Sequence, residues 1–333
     1  MTTAFVLLLI AVALTLVFDF INGFHDAANA IATVVSTRVL SPVKAVVYGA
    51  ILNFVGAMMG TEVAATIGKG LVDAASISIE TVLCTVIAGI IWNLLTWWKG
   101  LPTSSSHAII GSLLGATYFS GTGGGNNIVW PKVMEKVIVP MVSSPVLGIV
   151  VGFTLMLVIT WIVYQMRLST LNRLFSRLQI LSSGFMAFEH GRNDAQKSMG
   201  IIALALVLTY PDTDFSVPMW VKVTCAIAMG LGTMSGGWRI IRTLGSKMIK
   251  LQPIHGFAAE TTSALIIGGA SHFGIPVSTT QVISTAIMGV GASRGLSAVR
   301  WGIVGRIVWA WVLTIPLTFC FAGAIMWVYK TVF

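Results

Sequence analysis

The chain has 333 residues, 56% of them hydrophobic and 9% charged, with a mean hydropathy of +0.90. Soluble domains carry about 25% charged residues, so this composition excludes a water-soluble enzyme or regulator and calls for lipid as solvent. The net charge of +9 does not mark a nucleic-acid partner, because the basic residues fall mainly in short connections between apolar runs, where orientation signals sit.

Residues 4–18 open the chain with an apolar run. With no basic leader and no small-residue cleavage site, it reads as the first membrane helix rather than a signal peptide. That run continues, interrupted by polar residues, to 36. Others follow at 43–60, 81–98, 103–119, 137–165, 184–209, 218–237, 255–271, 276–291 and 297–330. Many reach the roughly 20 residues that span a bilayer, and the last is long enough to be broken or strongly tilted. Between 165 and 184, Leu171, Leu174, Phe175, Leu178 and Leu181 recur at helical spacing while Arg173 and Arg177 occupy another face. This predicts an amphipathic interfacial linker over 167–183. The glycine run at 121–125 lacks the Lys-Ser/Thr of a P-loop and predicts a flexible outer loop. Cys84, Cys225 and Cys320 lie inside apolar runs without partners at metal-like spacing, as small buried hydrophobes do.

An internal repeat organises these elements. Gly23-Phe24-His25-Asp26-Ala27-Ala28 returns as Gly191-Arg192-Asn193-Asp194-Ala195-Gln196, and Thr66-Ile67-Gly68 as Thr243-Leu244-Gly245. Gly100-Leu101-Pro102-Thr103-Ser104-Ser105-Ser106-His107 returns as Gly274-Ile275-Pro276-Val277-Ser278-Thr279-Thr280-Gln281. The three pairs keep their order. Loop charge then sets orientation. With the connection holding Arg38 and Lys44 inside, the segments with Lys99, with Arg167, Arg173 and Arg177, with Arg239, Arg242, Lys247 and Lys250, and with Arg294 and Arg300 also fall inside. Asp73, Glu135, Asp212 and Asp214 fall outside. The span 184–209 then runs opposite to the first span. The expected fold is an all-α polytopic membrane protein of two inverted-topology repeats, 1–166 and 184–333, with broken helices and re-entrant helical hairpins.

A charge at membrane depth costs about 2.5–3.5 kcal/mol on insertion scales and so needs a reason. Asp19, Asp26, Glu189, Arg192, Asp194, Lys197 and Glu260 are the candidates. Asp26 and Asp194 are equivalent by the repeat. The segment from Asn22 to Asn29 is too polar for a lipid-facing helix and predicts an unwound backbone beside a cavity. Each Pro-x-Ser-Ser/Thr-Ser/Thr motif predicts a helix N-terminus, with free N–H groups, the positive dipole end and three hydroxyls. One hydroxyl suffices for a cap. Two such termini, carrying Ser104, Ser105, Ser106, Ser278, Thr279 and Thr280, suit a tetrahedral oxyanion gripped from both sides. A carboxylate beside that anion can hold Na⁺ or a proton, or accept the hydrogen bond of a protonated phosphate that sulfate lacks. Simple capping, and mutual pairing of the polar groups, stay as the plain alternatives. His107 and Gln281 match in the repeat, and His25, His107, His190 and Lys197 are candidate proton or charge modulators.

At these motifs the sequence resembles the inorganic phosphate transporter (PiT) family of cation-coupled symporters. The resemblance rests on residues 22–30, on His190-Gly191-Arg192-Asn193-Asp194-Ala195-Gln196-Lys197, on the two Pro-x-Ser motifs and on Gly236-Gly237-Trp238-Arg239, and it covers nearly the whole chain. It implies an inverted-repeat helical fold, hairpins bearing the Ser/Thr motifs, a homodimer and a multi-pass place in the cell membrane. Phosphate ligands would come from Asp26, Asp194, Gln281 and the hydroxyl clusters, and coupling-cation ligands from Asn22, Asp26, Asn29, Asn193 and Asp194. Two departures stand out. His25 replaces the family's Asn, and Gln196-Lys197 replaces Ala-Asn, which leaves Na⁺ or H⁺ as coupling ion and puts a lysine where the other half has Asn29. No further cofactor is expected. The cargo is inorganic phosphate, free or as a metal–phosphate complex. An intramembrane hydrolase, a passive anion channel and a permease for another oxyanion are the competing readings; the first should show one unpaired nucleophile, the second flux without accumulation.

Overall fold

The computed structural model describes residues 3–74, 77–121 and 124–332. Among them the chain is helical almost throughout, and the only β feature is an isolated bridge between Val72 and Ile128. Helix α1 spans Thr3–Ser36, followed by α2 (Pro42–Ala57) and α3 (Glu62–Lys69), which meet at a 69° bend. Next come α4 (Ile79–Lys99), α5 (Ser105–Phe119) and the short α6 (Trp130–Val133), which passes through a π turn into α7 (Val139–Val163). The second part holds α8 (Leu168–Thr209), α9 (Met219–Ser235), α10 (Trp238–Arg242) leading into a π turn, α11 (Pro253–His272), α12 (Thr279–Ala292) and α13 (Trp301–Val332).

Among the described residues, four stretches are long and apolar enough to cross a membrane: α1, α4, the α6–α7 rod and α13. The bent α2–α3 pair makes a fifth if taken as one span. Large apolar side chains point outward from α7 (Val146, Val150, Leu157, Trp161) and α13 (Trp309, Val312, Trp327). Helices satisfy their own backbone groups, so this outward apolar surface is stable only in lipid. The chain is a multi-pass membrane protein.

Each Pro-x-Ser motif sits in a tight helical hairpin. Helix α4 ends at Gly100 in the left-handed region (φ 64°), and α5 starts after Ser104 and packs back on α4. Helices α11 and α12 repeat this about Gly274 (φ 63°). Glycine adopts that conformation without steric cost, and the following proline cannot extend the first helix.

The halves are interleaved. Helix α1 packs on α9 while α2 packs on α8, and α5 packs on α13 while α12 packs on α7. The motif glycines are points of backbone contact. A Cβ on Gly23 would fall 2.5 Å from the Met229 carbonyl oxygen, and one on Gly191 would fall 2.1 Å from that of Asn53. The same crossing is thus made twice. Helices α1 and α8 run antiparallel, since Thr37 bonds Gln179 near one end while Asp19 faces Ser198 towards the other. The Thr-x-Gly repeat also has a place: Thr66 donates to the Gly274 carbonyl at 2.7 Å and Thr243 to the Gly100 carbonyl at 3.2 Å. Each half therefore holds the hairpin turn of the other.

The structure bears on three expectations. The Asp-bearing helices are not broken: α1 and α8 run continuously through Asp26 and Asp194. Gly23 and Gly191 serve close crossings instead, and the polar side chains find partners on neighbouring helices, so the backbone need not unwind. The breaks fall between α2 and α3 and between α9 and α10. Residues 168–183 are the first turns of α8, continuous with the run that follows, with Phe175, Gln179 and Ser182 on a buried face and Leu168, Leu174 and Leu181 exposed. Helix α13 runs unbroken despite Pro316 inside it, which removes the broken alternative and leaves the strongly tilted one. In the glycine run, Thr122 and Gly123 lie outside the described residues.

Candidate functional site

Helix α1 brings Asp26 and Asn29 to one face, one turn apart, and α8 does the same for Asp194 and Lys197. The N-termini of α5 and α12 meet them. Asp26, Asn29, Asp194, Lys197, Ser106, Thr279 and Thr280 are all buried, none more than 2% exposed. The site is closed on every side.

Asn29 Nδ2 donates to Thr280 at 2.9 Å and to Thr279 at 3.2 Å. Thr280 in turn donates to Asp26 Oδ1 at 3.4 Å, and Thr279 to Asp194 Oδ2 at 3.2 Å. The second hairpin therefore bridges the two aspartates through neighbouring hydroxyls. Lys197 occupies the place equivalent to Asn29. Its ammonium donates to Asp194 Oδ1 and to Ser106, the residue of the first hairpin equivalent to Thr280. Ser106 itself donates to the Val277 carbonyl at 3.2 Å, joining the two hairpins. An amide and an ammonium thus hold equivalent positions in the two halves.

The histidines flank the aspartates. His25 Nδ1 lies 2.7 Å from Asp26 Oδ1, and its Nε2 lies 3.1 Å from Thr96 Oγ1 on α4. His190 Nε2 lies 3.2 Å from Asp194 Oδ2, and its Nδ1 contacts Asn53 on α2 at 2.9 Å. One ligand atom each from Asp26, His190 and Asp194 fall within 4.8 Å of one another, a donor set of two carboxylates and an imidazole that suits a cation.

Other candidates are placed differently. Ser104 and Ser278 cap α5 and α12, accepting from the N–H groups of His107 (3.1 Å) and Gln281 (3.2 Å), so the capping reading holds for the first hydroxyl of each motif. Ser105 Oγ is buried without a partner. Asn193 turns away from the cluster to Ser271 at 2.8 Å. Asn22 Oδ1 and His107 Nδ1 are buried and unpartnered. Gln281 lines a lateral, mostly apolar cavity of about 390 Å³ between α7, α12 and α13.

Thr96, Asn53 and Ser271 were not legible as site residues, because their roles come from neighbours distant in sequence. A second buried carboxylate also has a full set of partners. Glu260 accepts from Thr33, Ser182 and Gln179 (3.1 Å for the last), tying α1, α8 and α11 together. Asp19, about two turns before Asp26, is buried with Ser198 and Cys225 as neighbours.

The Phosphate transporter family matches this chain over residues 22–171 and 165–322. A probable low-affinity inorganic phosphate transporter of Mycobacterium leprae is 46% identical over 329 residues, covering 97% of this chain and 78% of that protein. Proteins of the same description from Rhizobium meliloti (46%, covering 95% of this chain and 94% of that one) and Bacillus subtilis (45%, covering 94% of each) are similar along almost their whole length. Among solved structures, "The sodium-dependent phosphate transporter" superposes with a TM-score of 0.89 at 26% identity, covering 98% of this chain and 100% of that one.

Proposed function

The chain belongs to the phosphate transporter family, a family of transporters rather than enzymes, and from that premise we propose that it is a symporter carrying inorganic phosphate into the cell with a coupling cation, Na⁺ or H⁺. The observation that carries this reading is the convergence of both aspartates, Asn29, Lys197 and both hairpin N-termini on one closed point.

The hydrogen-bond pattern supplies a coupling mechanism. Phosphate held between the hairpin N-termini draws the hydroxyl protons of Ser106, Thr279 and Thr280 to its own oxygens, with backbone N–H groups and helix dipoles adding to the grip. Asp26 and Asp194 thereby lose hydroxyl donors. A cation on the freed carboxylate oxygens restores their balance, so anion and cation each bind better when the other is present. Lys197 already stands on Asp194 as a fixed charge, which leaves Asp26 as the half that takes up the exchangeable ion. A hydrogen phosphate can also donate its O–H to a carboxylate, which sulfate cannot do. Alternating access follows if the halves, 1–166 and 184–333, are inverted repeats whose hairpins enter from opposite faces and open in turn. The protein acts in the cell membrane as a homodimer in this reading. The similarity to a sodium-dependent phosphate transporter favours Na⁺, and the lysine at 197 favours fewer mobile cations.

Uptake of labelled phosphate into proteoliposomes tests the proposal, with Na⁺ and proton gradients imposed separately and sulfate as competitor. Accumulation driven by one gradient and indifferent to sulfate is the expected result. Flux that only equilibrates would make the protein a channel, and equal block by sulfate would remove the role of the carboxylates in choosing phosphate. The Asp26–His190–Asp194 donor set favours one variation, in which phosphate enters as a divalent-metal complex; uptake would then fall when the metal is chelated.

A further inference from the structure

Two surface cavities share one plan at opposite ends of the bundle. One, of about 350 Å³, has Lys99, Arg239 and Arg242 around Gly100 and Thr243. The other, of about 280 Å³, has Lys69, Lys132 and Lys136 around Thr66. The π turn that carries Thr243 lies against α1 at Ala32 and Ser36, near its C-terminal end. Helix α3, which carries Thr66, lies against Gly200 towards the C-terminal end of α8. Since α1 and α8 are antiparallel, the two cavities open on opposite faces.

The floors are equivalent as well. Thr66 donates to the turn carbonyl of Gly274 at 2.7 Å, and Thr243 to that of Gly100 at 3.2 Å. A few residues beyond Gly274 the same turn delivers Thr279 and Thr280 to the buried site, and Gly100 precedes Ser106 in the same way. The first cavity is lined by the turn residue Gly100 itself, and the second by Thr66, whose hydroxyl holds the Gly274 turn.

Orientation signals account for the cavity with Lys99, Arg239 and Arg242, because loop charge places it inside. They do not account for Lys69, Lys132 and Lys136, which lie on the outer face, where no orientation rule calls for lysine. These three come from separate segments. Pairing of Val129 with Leu71 and of Asp73 with Asn127 brings the end of α3 beside the start of α6. Two acidic groups lie on the same elements: Glu135 is 3.5 Å from Lys136, and Glu62 turns its carboxylate to the Thr61 N–H at 2.9 Å. Lys69 is held over the Phe215 ring at 5.5 Å. Three cations converge on a concave wall, and a concave low-dielectric wall focuses their field.

We infer that the Lys69–Lys132–Lys136 cavity is the loading vestibule for the phosphate anion on the outer face, closed from the buried site by the Thr66–Gly274 hydrogen bond. The inference rests on the uptake reading above and names the mouth through which that substrate enters. Its lysines raise the local concentration of a dianion and its rate of arrival. They do not touch the transported ion in the closed site, so their effect belongs in KM rather than in kcat.

The test uses the full chain in proteoliposomes and the triple variant Lys69→Gln, Lys132→Gln, Lys136→Gln, with elution of the detergent-extracted protein as the folding control. Phosphate uptake from the outer face is measured at low ionic strength and at about 0.15 M, where charges beyond about 8 Å are screened. The triple variant should show a KM raised about tenfold at low salt, the lower end of what focusing supplies, with kcat nearly unchanged. The wild-type KM should rise with salt and the variant's should not. A KM equal to wild type at low salt overturns the inference while leaving phosphate transport intact, and so does a fall in kcat alone. A change confined to transport from the inner face overturns the assigned side. If the wild type itself takes up no phosphate, the transport reading fails first and the vestibule with it.

Discussion

Asp26 and Asp194 are equivalent in sequence and unequal in surroundings. Asp194 has Lys197 on one oxygen, with Thr279 and His190 each 3.2 Å from the other. Asp26 has His25 and Thr280 and no fixed cation. Removing one partner of a buried ion pair costs about 3–5 kcal/mol, because the other charge is stranded. Asp194→Asn is therefore expected to lose both phosphate uptake and thermal stability in detergent, whereas Asp26→Asn loses uptake with a smaller fall in melting temperature. Ser105→Ala should retain more uptake than either. Equal and mild effects on transport from all three would remove the aspartates from the mechanism; equal destabilisation by both Asp variants would contradict the role given to Lys197. At this scale the sequence already singled out Asp26, Asp194 and Lys197, which the structure buries together, since charge in an apolar run is costly wherever it sits. It did not separate Ser104 and Ser278, which cap, from Thr279 and Thr280, which reach the aspartates, and Ser106, which meets Lys197. That division depends on which way each hydroxyl faces once both hairpins are in place.

Among the elements, the repeat motifs are contact devices, whatever they bind. Gly23 and Gly191 let helices cross with their backbones touching, and a methyl group there would sit 2.5 Å and 2.1 Å from a carbonyl oxygen. Neither neighbour is a side chain that can swing aside. Gly23→Ala or Gly191→Ala is expected to abolish the folded protein, seen as loss of the monodisperse peak after detergent extraction; recovery of either variant at normal yield and stability would show that the crossings can open without cost. The same two crossings explain why the polar stretch 22–29 stays helical. Periodicity marked it as too polar for lipid, and unwinding beside a cavity was one way to satisfy it. Packing against α8, α9 and the hairpins was the other, and partners from those elements cannot be seen in a local window of sequence.

For the molecule as a whole, loop charge gives the expected orientation, and α1 and α8 run in opposite directions, as that expectation requires of the two spans. A cysteine scan tests the sidedness directly. In a background with Cys84, Cys225 and Cys320 replaced, a thiol at position 212 (Asp212→Cys) should react with an impermeant reagent added to intact cells, and one at 173 (Arg173→Cys) only after permeabilisation. Reaction of both from the same side would end the inverted-repeat proposal. What the sequence by itself determined is the solvent, the helical class, the doubled motifs and the charged residues that mark the centre, because each follows from composition, spacing or the energetic cost of a charge in lipid. Tertiary structure alone decided which half holds which hairpin: Thr66 secures Gly274 and Thr243 secures Gly100. It also put Lys197 against Ser106, and gathered Lys69, Lys132 and Lys136 around one cavity. The physical reason is common to all three. These contacts join residues far apart in the chain, and their energy depends on distances that exist only after the interleaved halves have packed.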